Sequence, residues 1–328
     1  MRCVITTLLL TVIAGQASAQ DWRPVTTALI AAEKPGSFNL CGVVLDPATG
    51  DLIVNLSDKG FYLSSDRGDT WKRLGMPIKG RTETPGCILL DPISGKRLVS
   101  ALVYGSPIIV SPDRGMTAKV LDKKSSHVDW CAVDWSDADL KFILTLKHEA
   151  ADLLLISRDG GTSFDEVGKG FGPAWIFDGK TAVIAKTKSK ANPKPEIVRT
   201  TDQAKTFESV GDYHAKALPR WFKDALYWVV DGGIIRSTDQ GKSWTKISDL
   251  KDGRFGPVFG KTADHLLVLT GAGIVESIDG GKTWAKAIPA PKEMKGLGGL
   301  AWLAYDANRD TVFLMKMASD LYRWDRKK

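Results

Sequence analysis

The chain has 328 residues, 43% of them hydrophobic and 25% charged, with a formal net charge of +7. Lys and Arg are scattered along its whole length, so the mild basic excess favours solubility and weak attraction to acidic surfaces, and it excludes a dedicated nucleic-acid groove. A length of this kind usually suggests two domains, but repeat folds routinely exceed that prior and the chain reads as one.

Residues 1–19 carry Arg2, an apolar run from Val4 to Ala14, and the small triplet Ala17-Ser18-Ala19 before Gln20. They read as a signal peptide cut after Ala19, giving a secreted or periplasmic protein. The apolar run falls short of the roughly 20 residues that a membrane span needs, and no later stretch reaches that length. Cys3 leaves with this segment, and Cys41, Cys87 and Cys131 remain. An odd count in an oxidising compartment leaves at least one thiol unpaired in the expected monomer.

After Trp22-Arg23-Pro24-Val25 the chain becomes periodic. A hairpin phrase is clearest at Cys41 to Val54 and at Cys87 to Ser100: an apolar run, an Asp-Pro-x-x-Gly turn at Asp46 or Asp91, and a second apolar run. A Gly-led strand such as Gly60-Phe61-Tyr62-Leu63 follows, then a box of Ser or Thr, x, Asp, x, usually Gly, x, Ser or Thr, and usually an aromatic. The six boxes centre on Asp66, Asp113, Asp159, Asp202, Asp239 and Asp279. Self-similarity at roughly 40 residues marks units that bury their faces only against their neighbours.

Each unit supplies four antiparallel strands, the content of one propeller blade. The hairpin phrase recurs in weaker form around Asp134, Asp178, Asp224, Asp264 and Asp306, which raises six boxes to seven units. The last unit has a broken box at Leu321-Tyr322-Arg323-Trp324-Asp325-Arg326 and no room for a fourth strand, whereas Trp22-Arg23-Pro24-Val25 resembles the strands that follow a box. The expected fold is therefore all-β: a single seven-bladed β-propeller over residues 20–328, its last blade closed by the N-terminal strand so that no open sheet edge is left at the seam.

Within the box, Asp and Ser or Thr hydrogen-bond nearby backbone N–H groups, Gly tolerates positive φ, and the aromatic buries apolar area at the blade base. The six Asp residues read as structural; a calcium loop needs more oxygen ligands at closer spacing. These boxes resemble the Asp-box, or bacterial neuraminidase, repeats of sialidases, xyloglucan-active glycoside hydrolases, the sortilin luminal domain and photosystem II assembly factors. The resemblance covers nearly the whole mature chain and implies a propeller with boxes on the rim of one face and ligands near the channel on the opposite face. It leaves function open among enzymes, receptors and assembly factors. The sialidase pattern asks for an Arg-Ile-Pro motif, and the nearest match, Trp22-Arg23-Pro24, lacks the Ile.

The segments leading into the inner strands are expected to reach the channel mouth. They supply Arg81, Glu83, His127, Asp129, Trp130, Trp175, Arg220, Trp221, Arg254 and Trp302 as candidate ligand-binding residues. Trp130, Trp175, Trp221 and Trp302 read first as packing between blades and second as an aromatic platform for a glycan or peptide. Glu83 and Asp129 are the best available catalytic carboxylates, with Asp212 a further acid, should the chain be a glycoside hydrolase. The three Cys fall at the start of successive inner strands, as buried thiols, one disulfide, or a soft metal site with His127 or Asp129. No Cys-x-x-Cys or His-x-x-x-His spacing supports the last of these, and neither a metal nor a cofactor is expected. His148 and His265 lie in or beside strand-like runs with no Ser or Cys motif suggesting a triad, and the Lys186 to Pro195 run reads as a solvated loop in the fourth blade. The leading reading is an exported binding or assembly scaffold for a glycan or protein ligand at the channel mouth, and the competing one a glycoside hydrolase, sialidase-like or polysaccharide-active.

Overall fold

The computed structural model describes residues 22–36, 38–77, 80–187, 194–294, 297 and 300–326. The expected signal peptide and the centre of the Lys186 to Pro195 run lie outside them. The described chain is a seven-bladed β-propeller. Inner strands Gly42–Leu45, Ile88–Leu90, Val128–Val133, Phe171–Ile176, Arg220–Phe222, Gly253–Phe259 and Ala301–Asp306 surround the axis, one per blade, and each opens an antiparallel meander running outward.

The meander follows from short apolar runs separated by turns whose Asp caps the chain. At the second blade's first turn, Asp91 accepts hydrogen bonds from the Ile93 amide (2.8 Å), the Ser94 hydroxyl (2.7 Å) and Arg97 Nε (2.7 Å). Buried Asp46, Asp134 and Asp306 hold their own turns in the same way. Neighbouring blades then bury apolar side chains against each other, with Trp228, Phe142, Phe164 and Phe313 among the largest fully buried groups.

The six boxes share one hydrogen-bond scheme. Ser64 Oγ donates to Asp66 Oδ1 (2.8 Å), the Gly68 amide donates to Ser64 Oγ (2.7 Å), and the Thr70 amide and hydroxyl reach the two Asp66 oxygens at 2.9 and 2.6 Å. The same bonds recur at Asp113, Asp159, Asp202, Asp239 and Asp279. Hydrogen bonds from the Thr206 and Thr283 hydroxyls lead in lowering the Asp202 and Asp279 carboxyls to about 2. Both oxygens of each Asp are thus committed to the turn. Five boxes place Gly at left-handed φ between 73° and 91°; the fourth holds Ala204 there at 61°.

Arg23–Pro24 pairs with Leu321–Asp325 and completes the seventh blade, as expected from the truncated last unit. The seam is tied further by the Val25 amide on Leu321 O (2.8 Å), Trp71 Nε1 on Val25 O (2.9 Å), and buried Arg323 on Asp69 (2.9 Å). Two features depart from the expectation. Helix Thr27–Glu33 follows the closing strand, built from strong helix formers and ended by Lys34 in the left-handed region, with Leu29 and Ile30 packed on the core. In the sixth blade the fourth strand shrinks to a single bridge, Ile274 to Ile288, with the Ala285 amide also donating to Glu276 O (2.8 Å).

Candidate functional site

The segment leading into the second blade does not run straight to its inner strand. Gly80–Arg81 pairs with Tyr104–Gly105, which lies in the loop between the second and third strands of the same blade, and the two make a small ribbon standing on the channel-mouth face. Gly80, at φ 145°, permits this: a Cβ there would collide with the Tyr104 carbonyl. Buried Thr82 anchors the segment to the first blade, its hydroxyl donating to Cys41 O (2.7 Å) and its amide to Asn55 Oδ1 (3.1 Å).

The ribbon brings together side chains from three successive blades. The Arg81 guanidinium carbon sits 4.5 Å from the ring centroids of both Phe38 and Tyr104 and pairs with Glu83, whose side chain is 11% exposed. Each cation–π contact is worth about 1 kcal/mol at a partly exposed site. The Tyr104 ring meets His127 edge-on at 4.8 Å and His148 at 5.1 Å. His148 Nδ1 is 2.6 Å from Asp129 Oδ1, and its Nε2 is 3.1 Å from the Tyr104 hydroxyl. The carboxylate contact assigns the proton of the neutral ring to Nδ1, so Nε2 accepts the Tyr104 hydroxyl proton. Glu83, His127 and Glu149 all hold left-handed φ between 53° and 58°, a local cost of about 1 kcal/mol or more each that surrounding structure must offset.

Arg81, Glu83, His127 and Asp129 therefore lie in one cluster. Tyr104, His148 and Phe38 complete the cluster and are absent from the candidates that the lead-in segments yield. Tyr104 and His148 sit in loops between second and third strands, which open on the same face as the lead-in segments. That shared face was the available signal, and the absence of a Ser or Cys near His148 hid a partner that is Tyr and Asp.

The remaining candidates lie elsewhere. Trp130 and Trp302 are 4% and 1% exposed in the cores between blades, with no ring face open to a ligand, so for these two packing replaces the platform reading. Trp175 and Trp221 stack on each other at 6.0 Å and 8°, with Phe177 edge-on to Trp221 at 6.1 Å. Trp130 and Trp302 stand four residues before the turn aspartates Asp134 and Asp306, whereas Trp175 and Trp221 stand three before Asp178 and Asp224. In the ring, Trp130 faces the fourth blade from the third, whereas Trp175 and Trp221 meet each other across the fourth and fifth blades. Arg254 is tied to Asp252 Oδ1 (3.2 Å), Arg220 lies over the Phe255 ring (4.6 Å), and Asp212 is an exposed loop acid. Cys41, Cys87 and Cys131 are buried free thiols. Burial raises Cys41 to about 11 and Cys131 to about 12. Among the described residues no group of three His, Cys, Asp or Glu side chains is placed to hold a metal.

No family model matches the chain, and no curated protein matches it. Solved structures are similar in fold. The extracellular domain of a hybrid two-component system from B. thetaiotaomicron superposes with a TM-score of 0.58 at 9% identity, over 89% of this chain and 38% of that one. YCF48 from Cyanidioschyzon merolae gives 0.52 at 11% identity, over 93% of this chain and 98% of that one, and a YCF48 structure bound to D1 peptide gives 0.51 at 14%, over 94% and 99%. At these identities the likeness establishes the propeller fold alone. No helix among the described residues is long and apolar enough to cross a membrane.

Proposed function

We propose that this chain is an exported, non-catalytic binding or assembly scaffold that holds a glycan or protein ligand on its channel-mouth face, at the Arg81–Tyr104–His148 cluster. The observation that carries this reading is the internal pairing of the cluster. Glu83 is taken up by Arg81 and Asp129 by His148, so the two best carboxylates are already engaged, whereas a glycosidase needs one to protonate a leaving group and the other to meet sugar or water. What the cluster offers outward is aromatic edge and face, imidazole and guanidinium, the groups that anchor polar ligands. Export is supported by the leader-like residues 1–19, and a peptide or protein ligand by the propeller neighbour solved with D1 peptide.

Incubation of the purified protein with sialosides and with plant and bacterial polysaccharides tests the reading. No turnover is expected. Turnover that disappears in Glu83→Gln or Asp129→Asn contradicts it and establishes a glycoside hydrolase.

A further inference from the structure

We infer that the outer edge of the second blade docks an extended acidic segment of a partner protein by strand addition. The inference does not depend on the mouth-face cluster. The residue two places after each box lies on the outermost segment of its blade and pairs with the third strand: Arg73 with Tyr62 in the first blade, Val120 with Ile109 in the second, Lys246 with Ile235 in the fifth. That position holds Arg73, Glu166, Ser209, Lys246 and Lys286 in five blades, and the closing strand of the seventh places Pro24 there; all are exposed. A charged side chain or a Pro keeps a sheet edge from pairing with another chain. The second blade alone puts an apolar residue in this place, and Val120 is 43% exposed. Met116, 50% exposed, occupies the box position that is Asp69, Thr162, Lys205, Lys242 or Lys282 elsewhere. Ile93, 67% exposed, lies in the hairpin turn that the Arg114 amide ties to the same box through Lys96 O (2.7 Å). Three of the four exposed large apolar side chains among the described residues thus belong to one blade.

The backbone of this edge is open as well. The Leu121 amide donates to Ile108 O (2.9 Å), which makes Ile109 and Val120 a non-hydrogen-bonded pair and turns the Val120 N–H and C=O away from the sheet. Lys119 and Leu121 face the opposite side from Val120 and line a cleft of about 580 Å3 between the second and third blades, with Val110 and Ile143 on its walls. The cleft carries four cations, Arg97, Lys119, Lys141 and Arg158, against Asp139 and Asp159, and both Asp159 oxygens are committed to its box. This excess selects an acidic segment over a second copy of the chain, which would bring its own Lys119 and a net charge of +7 to the contact. A strand laid along the edge takes up the Val120 N–H and C=O, covers the Val120 side chain with alternate residues, and sends the others into the cleft.

A capped, dye-labelled peptide of alternating Glu and Val, and the same peptide with Lys in place of Glu, test the edge by fluorescence anisotropy and hydrogen exchange. The Glu peptide is expected to bind wild type and to slow exchange over residues 118–121, and the Lys peptide to stay unbound. Val120→Pro and Val120→Lys should each weaken binding of the Glu peptide about tenfold or more. Val120→Pro removes the outward N–H at the place where the closing strand carries Pro24, and Val120→Lys restores the side chain of the fifth and sixth blades. Attraction by charge alone would tighten the Glu peptide on Val120→Lys. That result, no binding to wild type, or equal binding to wild type and variants overturns the inference. A concentration-dependent dimer of wild type that Val120→Lys abolishes assigns the edge to a second copy and overturns the acidic partner. Should Val120→Pro fail to fold, Val120→Lys alone decides.

Discussion

His148 Nδ1 lies 2.6 Å from Asp129 Oδ1, and this contact orders the mouth-face cluster. It points the other imidazole nitrogen at Tyr104, whose ring in turn carries the Arg81 guanidinium. Asp129 stands within the inner strand of the third blade, at the register shift between Val128 and Trp130, and Tyr104 in a loop of the second, so the contacts also bridge two blades. Asp129→Asn is expected to cost about 1 kcal/mol in urea denaturation, the scale of a partly exposed charge-assisted hydrogen bond. Tyr104→Phe removes only the hydroxyl at the edge of the cluster and is expected to change stability by less than about 0.5 kcal/mol. A loss in Tyr104→Phe as large as in Asp129→Asn would show that the relay is structural rather than a presented surface.

Gly86 lies against the Trp130 Cβ with Leu218 close by, and a Cβ there has no room. Gly86→Ala is expected to lose about 1 to 3 kcal/mol through overpacking between blades, read as a lower denaturation midpoint with an unchanged slope. Wild-type stability in this variant would mean that the second and third blades can separate freely near the axis.

Acid should loosen the seam between the sixth and seventh blades. Burial opposes ionisation of Glu276, but hydrogen bonds from His265 (2.6 Å) and Arg326 (2.7 and 3.0 Å) outweigh it and hold the carboxyl at about 2, below its ordinary 4.5. A carboxyl depressed in the folded state stabilises the fold above its unfolded value and loses that stabilisation as pH falls toward the folded value. Wild type and Glu276→Gln should therefore differ by about 2 kcal/mol at neutral pH, a shift discounted for partial solvent contact. The gap should close between about pH 4.5 and pH 2. A gap that stays constant across that range would remove Glu276 as an ionised clamp.

The three thiols are buried, and burial raises all of them, Cys87 most. A thiol reagent at pH 8 should react slowly with native protein and label three sites after unfolding, because the thiolate is the reactive form. Intact mass should be the same with and without reductant. A two-dalton gain on reduction would establish a disulfide instead.

The repeat was legible because its parts carry local physics. Each box needs a short polar side chain on either side of its Asp and a residue that accepts left-handed φ, and these requirements survive in all six copies, even with Ala204 in the place of Gly. The closing strand at Arg23–Pro24 was legible from what the last unit lacked. Helix Thr27–Glu33 was not, since it joins two strands across a gap that no repeat phrase spans. The cluster was half legible. Arg81, Glu83, His127 and Asp129 lie in lead-in segments that align between blades, whereas Tyr104 and His148 come from loops that share no phrase, and only closing the ring brings them within reach. The four Trp residues look equivalent in the sequence, and only the closed ring separates Trp130 and Trp302, sunk in cores between blades, from Trp175 and Trp221, which meet each other across two blades.

The most direct test of a non-catalytic ligand site at the channel mouth is retention of the protein on glycan and peptide arrays, comparing wild type, Arg81→Ala and Tyr104→Phe, with the mass of the retained ligand read afterward. Wild type should hold at least one ligand class with its mass unchanged, and both variants should bind about tenfold more weakly or worse, the loss expected for one or two anchoring contacts. Retention indifferent to both substitutions, or a ligand returned cleaved, would contradict it.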